Sequence, residues 1–186
     1  YRAFFQKSFS NNILKIAVLP TAIILSIVIH AQQEKEAPVQ RQAITGQDIP
    51  LVSIHMAALQ GDLDAIQHHI AACTDLNKTE PSAGSTPILS ASLFGKTDVV
   101  KALIGGGADV NFQNREGSTA LHTAAFFCHP AIVRELLDHG ADKSLRNNSG
   151  STALESVLAP FEAMKGYYDY FGNTLGPLGL ELDYNY

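Results

Sequence analysis

A block of five residues recurs at a fixed interval and constrains this chain more than any other feature. Residues 84–88 read GSTPI, and GSTAL follows 33 residues later at 117–121 and again 33 residues later at 150–154. A weaker copy at residues 52–58 fits with a spacing of 34, the extra residue falling near Glu80. A period of this length is typical of stacked units, none of which buries its apolar face alone.

Each unit predicts two short helices. A Gly makes a turn, a Thr can cap the first helix, and Pro or Ala follows in the first helical turn. Gly61 and Gly95 separate this helix from a second one, which carries one apolar stripe of paired aliphatic residues. Gly107 and Gly140 suit the left-handed residue that ends a helix. The pattern therefore predicts an all-α fold of stacked helix–turn–helix units.

The period and the blocks resemble the ankyrin repeat, a 33-residue unit with a T-P-L-H-x-A core. The best matches are TALHTA at residues 119–124 and GADVN at residues 107–111. The resemblance implies an ankyrin-repeat solenoid with finger loops, whose function is to bind another protein. It covers residues 47–159, with repeats near 47–80, 81–113 and 114–146 and a partial fourth at 147–159.

The two end repeats depart from the pattern. In repeat 1, His69 stands where Leu103 and Leu136 stand in repeats 2 and 3, which is typical of a cap whose outer face is wet. Repeat 4 has Glu155 in the His position of the repeat, followed by Pro160 and no second-helix pattern. We therefore expect repeat 4 to be a degenerate C-terminal cap.

An aromatic tail, residues 160–186, follows the repeats. It is rich in Tyr and Phe between 161 and 171, and Gly and Pro interrupt it between 172 and 179. We expect a helix or turn that folds back on repeat 4 and then a loop. The tail also leaves open that the chain continues beyond Tyr186.

The N-terminal residues have the pattern of a targeting segment. Arg2, Lys7 and Lys15 are the only charges before an uncharged apolar run at residues 16–29, and Ala31 precedes a polar stretch. This order predicts a secretory signal peptide at 1–31, followed by a linker at 32–46. We expect an exported protein, periplasmic in a Gram-negative source and otherwise secreted, that meets the membrane only transiently through this segment. An uncleaved membrane anchor is the alternative.

Composition and motifs argue against several other functions. The formal net charge is −5 and no basic stripe occurs, which argues against a nucleic-acid partner. Residues 95–97 (GKT) resemble the end of a phosphate loop, but Ser90 stands where its first Gly should be. No G-x-S-x-G motif and no His pair with zinc-ligand spacing is present. We therefore predict no catalytic residue, no cofactor and no metal site.

The two cysteines belong to different levels of the predicted stack. Cys73 ends the second helix of repeat 1, and Cys128 lies in the inter-helix turn of repeat 3. Packed helices lie ~8–10 Å apart, so two repeats separate these residues by more than a disulfide can span. We predict two free thiols.

Apolar residues end successive first helices, where the resemblance places a concave groove lined also by the finger tips. A Phe left exposed there forgoes ~1.5–3 kcal/mol of burial, so a row of them indicates a partner surface. The alternative is that Phe94 and Phe127 pack between repeats or under the aromatic tail. The predicted partner-binding residues are Leu59, Leu93, Phe94, Phe126 and Phe127 in the groove and Ser82, Ala83, Ser85, Arg115, Glu116, Ser118, Asn148 and Ser149 on the fingers.

The sequence thus favours an exported ankyrin-like interaction module without catalysis, whose acidic surface suits a basic protein partner. Two alternatives remain open at this point. The repeats could be the regulatory arm of a longer enzyme whose catalytic domain lies beyond residue 186. They could also form a membrane-tethered scaffold, if the N-terminal segment is not cleaved.

Overall fold

The computed structural model describes residues 52–158, 161–178 and 180. Every regular element in those residues is a helix, which confirms the predicted all-α class. The signal and linker predicted at 1–31 and 32–46 lie outside them, and no described helix is long and apolar enough to span a bilayer. The elements are α1 (Ile54–Gln60), α2 (Leu63–Ala71), α3 (Pro87–Leu93), α4 (Thr97–Gly105), α5 (Ala120–Phe126), α6 (Pro130–Asp138) and α7 (Phe161–Leu175), with 3₁₀ turns at Glu155–Val157 and Gly176–Leu178.

The helices form two rows, as the repeat pattern predicts. The first helices α1, α3 and α5 pack in series, and the 3₁₀ turn at Glu155–Val157 continues this row. The second helices α2, α4 and α6 pack in series beside them. The core runs between the rows through residues of every repeat, among them Ile66, Ile88, Leu121, Ile132 and Leu136. The extents assigned to the individual repeats stay predictions.

A reciprocal cap starts the first helix of repeat 3. The Thr119 hydroxyl accepts a hydrogen bond from the His122 amide at 3.4 Å, and the His122 ring accepts one from the Thr119 amide at 3.3 Å. The other ring nitrogen, Nε2, lies 3.0 Å from the carbonyl of Ser151 in the next finger. The ring therefore joins the helix start of one repeat to the backbone of the next.

Both cysteines occupy left-handed turn positions that other repeats give to glycine. The φ angle is 54° at Cys73 and 57° at Cys128, a region that side chains other than Gly rarely adopt. Cys128 stands at the place of Gly61 and Gly95, between the two helices of a repeat. Both thiols are free, as predicted, Cys73 exposed and Cys128 half-buried.

The first repeat caps the stack differently from the expectation. His69 is buried, and Nε2 lies 2.9 Å from the carbonyl of Val52 while Nδ1 lies 3.2 Å from the hydroxyl of Thr74. The expectation that His69 belongs to a wet outer face is therefore wrong. The ring can be buried because the chain just before α1 and just after α2 provides a partner for each nitrogen.

The tail forms the predicted helix, and its rings pack on repeat 3. In α7, Tyr168 and Phe171 lie against the rings of Phe126 and Phe127 at the end of α5, in repeat 3. These contacts place the described rings of the tail on repeat 3, and folding of the tail on repeat 4 stays a prediction. Repeat 4 ends in a single 3₁₀ turn and offers no comparable aromatic surface among the described residues.

Candidate interaction surface

The finger loops are bonded to one another through their backbones. The Arg115 amide donates to the carbonyl of Ala83 at 3.1 Å, and the Asn148 amide donates to the carbonyl of Glu116 at 2.9 Å. Side chains add two more links, from the Arg115 guanidinium to the carbonyl of Ser82 at 2.7 Å and from the Asn148 amide group to the carbonyl of Arg115 at 2.9 Å. The three fingers therefore form one continuous, ordered row.

An acidic or amide side chain organises each finger from within. The Asn114 side-chain oxygen accepts from the amides of Glu116 at 3.0 Å and Ser118 at 2.9 Å, and Asn147 does the same one repeat later. In the first finger, Glu80 replaces the Asn and accepts from the Ala83 amide at 2.6 Å. That finger is one residue longer between this side chain and the helix, which accounts for the repeat spacing of 34.

The pKa values of two finger carboxylates are shifted in opposite directions. Burial acts to raise the pKa of Glu80, but hydrogen bonds from the Ser82 side chain and from the Ser85, Ser82 and Ala83 amides hold it below its usual value. Burial alone raises the pKa of Glu116 to about 7. No described group donates a hydrogen bond to the Glu116 carboxylate, so its desolvation is not compensated.

A ladder of asparagine side chains runs along the ends of the second helices. The side-chain oxygen of Asn77 accepts from the Asp109 amide at 2.8 Å, and that of Asn111 accepts from the Asp142 amide at 2.7 Å. Sequence reasoning found the recurring block that contains these residues but missed this role. The signal was an Asn two positions after the Asp in repeats 1 and 2. In repeat 3, the last repeat whose second helix is described, Ser144 stands at this position.

The predicted finger residues divide into accessible and buried ones. Ala83 and Ser85 are buried, because their amides point inward at the Glu80 carboxylate. The accessible finger residues are Arg115 and Asn148, both exposed, and Ser82, Glu116, Ser118 and Ser149, all half-buried. Their role in partner binding stays a prediction.

The predicted apolar groove residues are all covered. At most 7% of any one of them is exposed, so the expectation of an exposed apolar row is wrong. The residues are Leu59, Leu93, Phe94, Phe126 and Phe127.

The tail explains the burial of the last two rings. The Phe127 ring centroid lies 5.5 Å from that of Phe171, and the Phe126 centroid lies 5.6 Å from that of Tyr168. Interplanar angles of 65° and 47° are those of edge and tilted aromatic pairs. The alternative that Phe127 packs under the aromatic tail is confirmed.

The same helix touches the half-buried thiol of repeat 3. Burial raises the pKa of Cys128, and a hydrogen bond with the Tyr168 hydroxyl acts in the opposite direction.

In the described part of the chain, no group of three or more His, Cys, Asp or Glu side chains is placed to hold a metal ion.

Comparison with known proteins identifies the class. Residues 54–155 match the family model for ankyrin repeats in three copies. This chain belongs to the ankyrin-repeat family. Ankyrin repeats are in general protein–protein interaction modules, and their stacked fold is a non-catalytic scaffold with an extended binding surface.

Individual relatives match part of this chain. The chain is 35% identical to the human DNA-binding protein RFXANK over 65 residues, which are 35% of this chain and 25% of that protein. It is similar to the crystal structure of the ankyrin repeat domain of Bcl-3, a member of the IkappaB protein family, with a TM-score of 0.55 and 28% identity. That likeness covers 62% of this chain and 49% of the Bcl-3 chain.

Proposed function

We propose that this chain is an exported interaction module that binds a partner protein through its finger loops and the adjoining concave face, and that it has no catalytic activity of its own. The observation that carries the proposal is the continuous row of hydrogen-bonded fingers. A row held in place before binding loses little conformational entropy when a partner docks. Loops on a rigid scaffold are also where binding residues concentrate.

The accessible part of this row is polar. Arg115, Asn148 and Glu116 present charge and hydrogen-bonding groups, whereas the apolar rings are covered. We therefore expect recognition by polar contacts and by charge rather than by an apolar groove. The formal net charge of −5 favours a basic partner surface.

An affinity capture with a matched control tests the proposal. The wild-type chain and the double variant Arg115→Ala/Asn148→Ala are used as baits in extract from the exported compartment of the source organism. The control variant is Gln67→Ala/Lys101→Ala, which removes exposed side chains from second helices. We expect one protein that wild type and control enrich and the finger variant loses. Equal enrichment by all three folded baits would place the binding surface elsewhere.

The export part of the proposal has its own test. The N-terminal charge and apolar pattern support it. N-terminal sequencing of the protein purified from its source is expected to begin at Gln32. A chain retained in the membrane fraction with residues 1–31 intact would support the tethered scaffold instead.

A further inference from the structure

The C-terminal end of the stack is an open face. The second-helix row stops at α6, because repeat 4 has only a 3₁₀ turn and no second helix among the described residues. The consequence is visible on α6 itself. Val100 of α4 is fully buried, but Val133 at the same position of α6 is only half-buried, and Leu137 is 43% exposed.

A groove lies where the missing helix would pack. It has a volume of about 500 Å³, and one face of α6 forms its wall. Its lining is mainly apolar, with Val133 and Leu137 on the wall, Ala125 and Cys128 on the floor and Val157 at the side. Phe171 of α7 packs on Phe127, and no described residue of α7 is among those that line the groove.

Two leucines project from the same end of the molecule. Leu154 and Leu158 flank the 3₁₀ turn of repeat 4, and each is 68% exposed. Their repeat positions are those at which Leu121 and Ala125 face the following repeat. The end face therefore carries an apolar projection beside an apolar groove. Such a face is complementary to itself, because a twofold axis places the projection of each copy over the groove of the other.

The charges at the groove also suit a second copy. Arg134 and Asp138 lie on its α6 wall, and neither forms an ion pair with a described residue. The chain as a whole has a net charge of −5, which opposes self-association, but this wall contributes one positive and one negative charge. Two copies therefore meet here without a net excess of like charge.

We propose that two copies of this chain pair through this open end, with Leu154 and Leu158 of each copy seated in the groove of the other. The pairing continues across two molecules the repeat-on-repeat packing that builds the stack. It leaves the finger row free, so it does not depend on the proposed partner binding.

Sedimentation equilibrium of the purified chain, over a concentration range up to about 0.2 mM, tests this pairing. We expect the wild type to dimerise. Leu158→Glu or Leu137→Glu should raise the dissociation constant of the dimer by about tenfold or more. Gln67→Glu, which adds the same charge to an exposed position of α2, is the matched control and should leave it unchanged. The substituted leucines are exposed, so thermal unfolding of the variants is expected to match the wild type.

Two results would overturn the pairing. One is a wild-type chain that stays monomeric over the whole range, even if another protein binds the groove. The other is a dimer that both glutamate variants leave intact, since its contacts would then lie elsewhere.

Cross-linking tests the arrangement of the two copies. In a Cys73→Ser background, Leu158→Cys places a new thiol on the projection, opposite Cys128 on the floor of the partner groove. With copper phenanthroline as the oxidant, we expect an intermolecular disulfide between position 158 of one copy and Cys128 of the other. A dimer that yields no such bond would overturn the seating of the projection in the groove.

Discussion

Repeats 3 and 4 contain the same pentapeptide, GSTAL, in two different environments. Leu121 ends the first copy and is 4% exposed, whereas Leu154 ends the second and is 68% exposed. The chemistry and the local sequence are the same, so the difference comes from the next repeat, which covers Leu121, whereas no further repeat covers Leu154 among the described residues. Burial in this molecule is therefore a property of stacking and not of the repeat itself.

Local hydrogen bonding survives where stacking ends. In repeat 4, the Glu155 amide donates to the Thr152 hydroxyl at 3.2 Å, and the Thr152 amide donates to the Glu155 carboxylate at 2.9 Å. This is the cap that Thr119 and His122 make in repeat 3, with a carboxylate in place of the imidazole. The comparison separates what a repeat encodes alone from what it obtains from a neighbour.

The largest expected effect separates the two leucines. Leu121→Ala should lower the free energy of unfolding by about 2–5 kcal/mol, because it leaves a cavity in a packed core. Leu154→Ala should change it by less than about 0.5 kcal/mol, because the side chain is exposed. Urea unfolding at low protein concentration measures both.

Aspartate at the same positions makes this contrast more severe. Leu121→Asp or Leu136→Asp buries an unpaired charge and should abolish cooperative unfolding, whereas Leu154→Asp should not. The aspartate variants at Leu121 and Leu154 must differ in stability for the assigned register to hold. Similar losses at both positions would contradict it.

The next effect concerns the tail, whose rings pack on repeat 3. Phe127→Ala should cost about 3–5 kcal/mol of unfolding free energy. A double-mutant cycle with Phe171→Ala should give a coupling of about 0.5–1.5 kcal/mol, because the two rings form an edge-to-face pair. Asn173→Ala is the control, since that side chain lies on the same helix and is exposed. Zero coupling between Phe127 and Phe171 would show that α7 does not dock on repeat 3.

The fold could be predicted from the sequence because its signal repeats. The interval of 33 residues fixed the register, and the turn glycines and capping threonines then placed the helices. The positions of Gly95 and Thr119 each follow from rules that act over a few residues.

The interaction surface could not be predicted equally well, because exposure depends on distant contacts. The pattern around Phe126 and Phe127 is the same whether a partner or the tail covers the rings. The tail lies more than 30 residues further along the chain and has no repeat partner that would fix where it docks. The asparagine ladder was missed for a similar reason, since Asn77 and Asn111 bond to the backbone of the following repeat.

A smaller effect distinguishes the two caps by their pH dependence. Burial lowers the pKa of His122, although its bond to the Ser151 carbonyl opposes this, so the folded state holds the ring neutral. The unfolded chain takes up this proton first as the pH falls, so the stability that depends on it is lost below the ordinary His range, near pH 6.5. His122→Gln should reduce the loss measured by urea unfolding between pH 7 and pH 5, and the part due to His129, whose pKa burial also lowers, should remain. In repeat 4 no such loss is expected in this range, because hydrogen bonds from Thr152 and Arg146 hold the pKa of Glu155 below its usual value.

The last comparison concerns the fingers. The pKa of Glu116 is raised from 4.5 to about 7, so between these values the unfolded chain ionises while the folded one keeps its proton. The contribution of Glu116 to stability should therefore fall as the pH rises from 4.5 to 7 and change no further above that. Glu116→Gln should remove this decline and make the variant more stable than the wild type at pH 8. Glu80→Gln should do the reverse, since the pKa of Glu80 is lowered and its charged form accepts the finger amides. If the two variants shift the stability–pH curve in the same direction, the fingers do not differ in the way that their hydrogen bonds indicate.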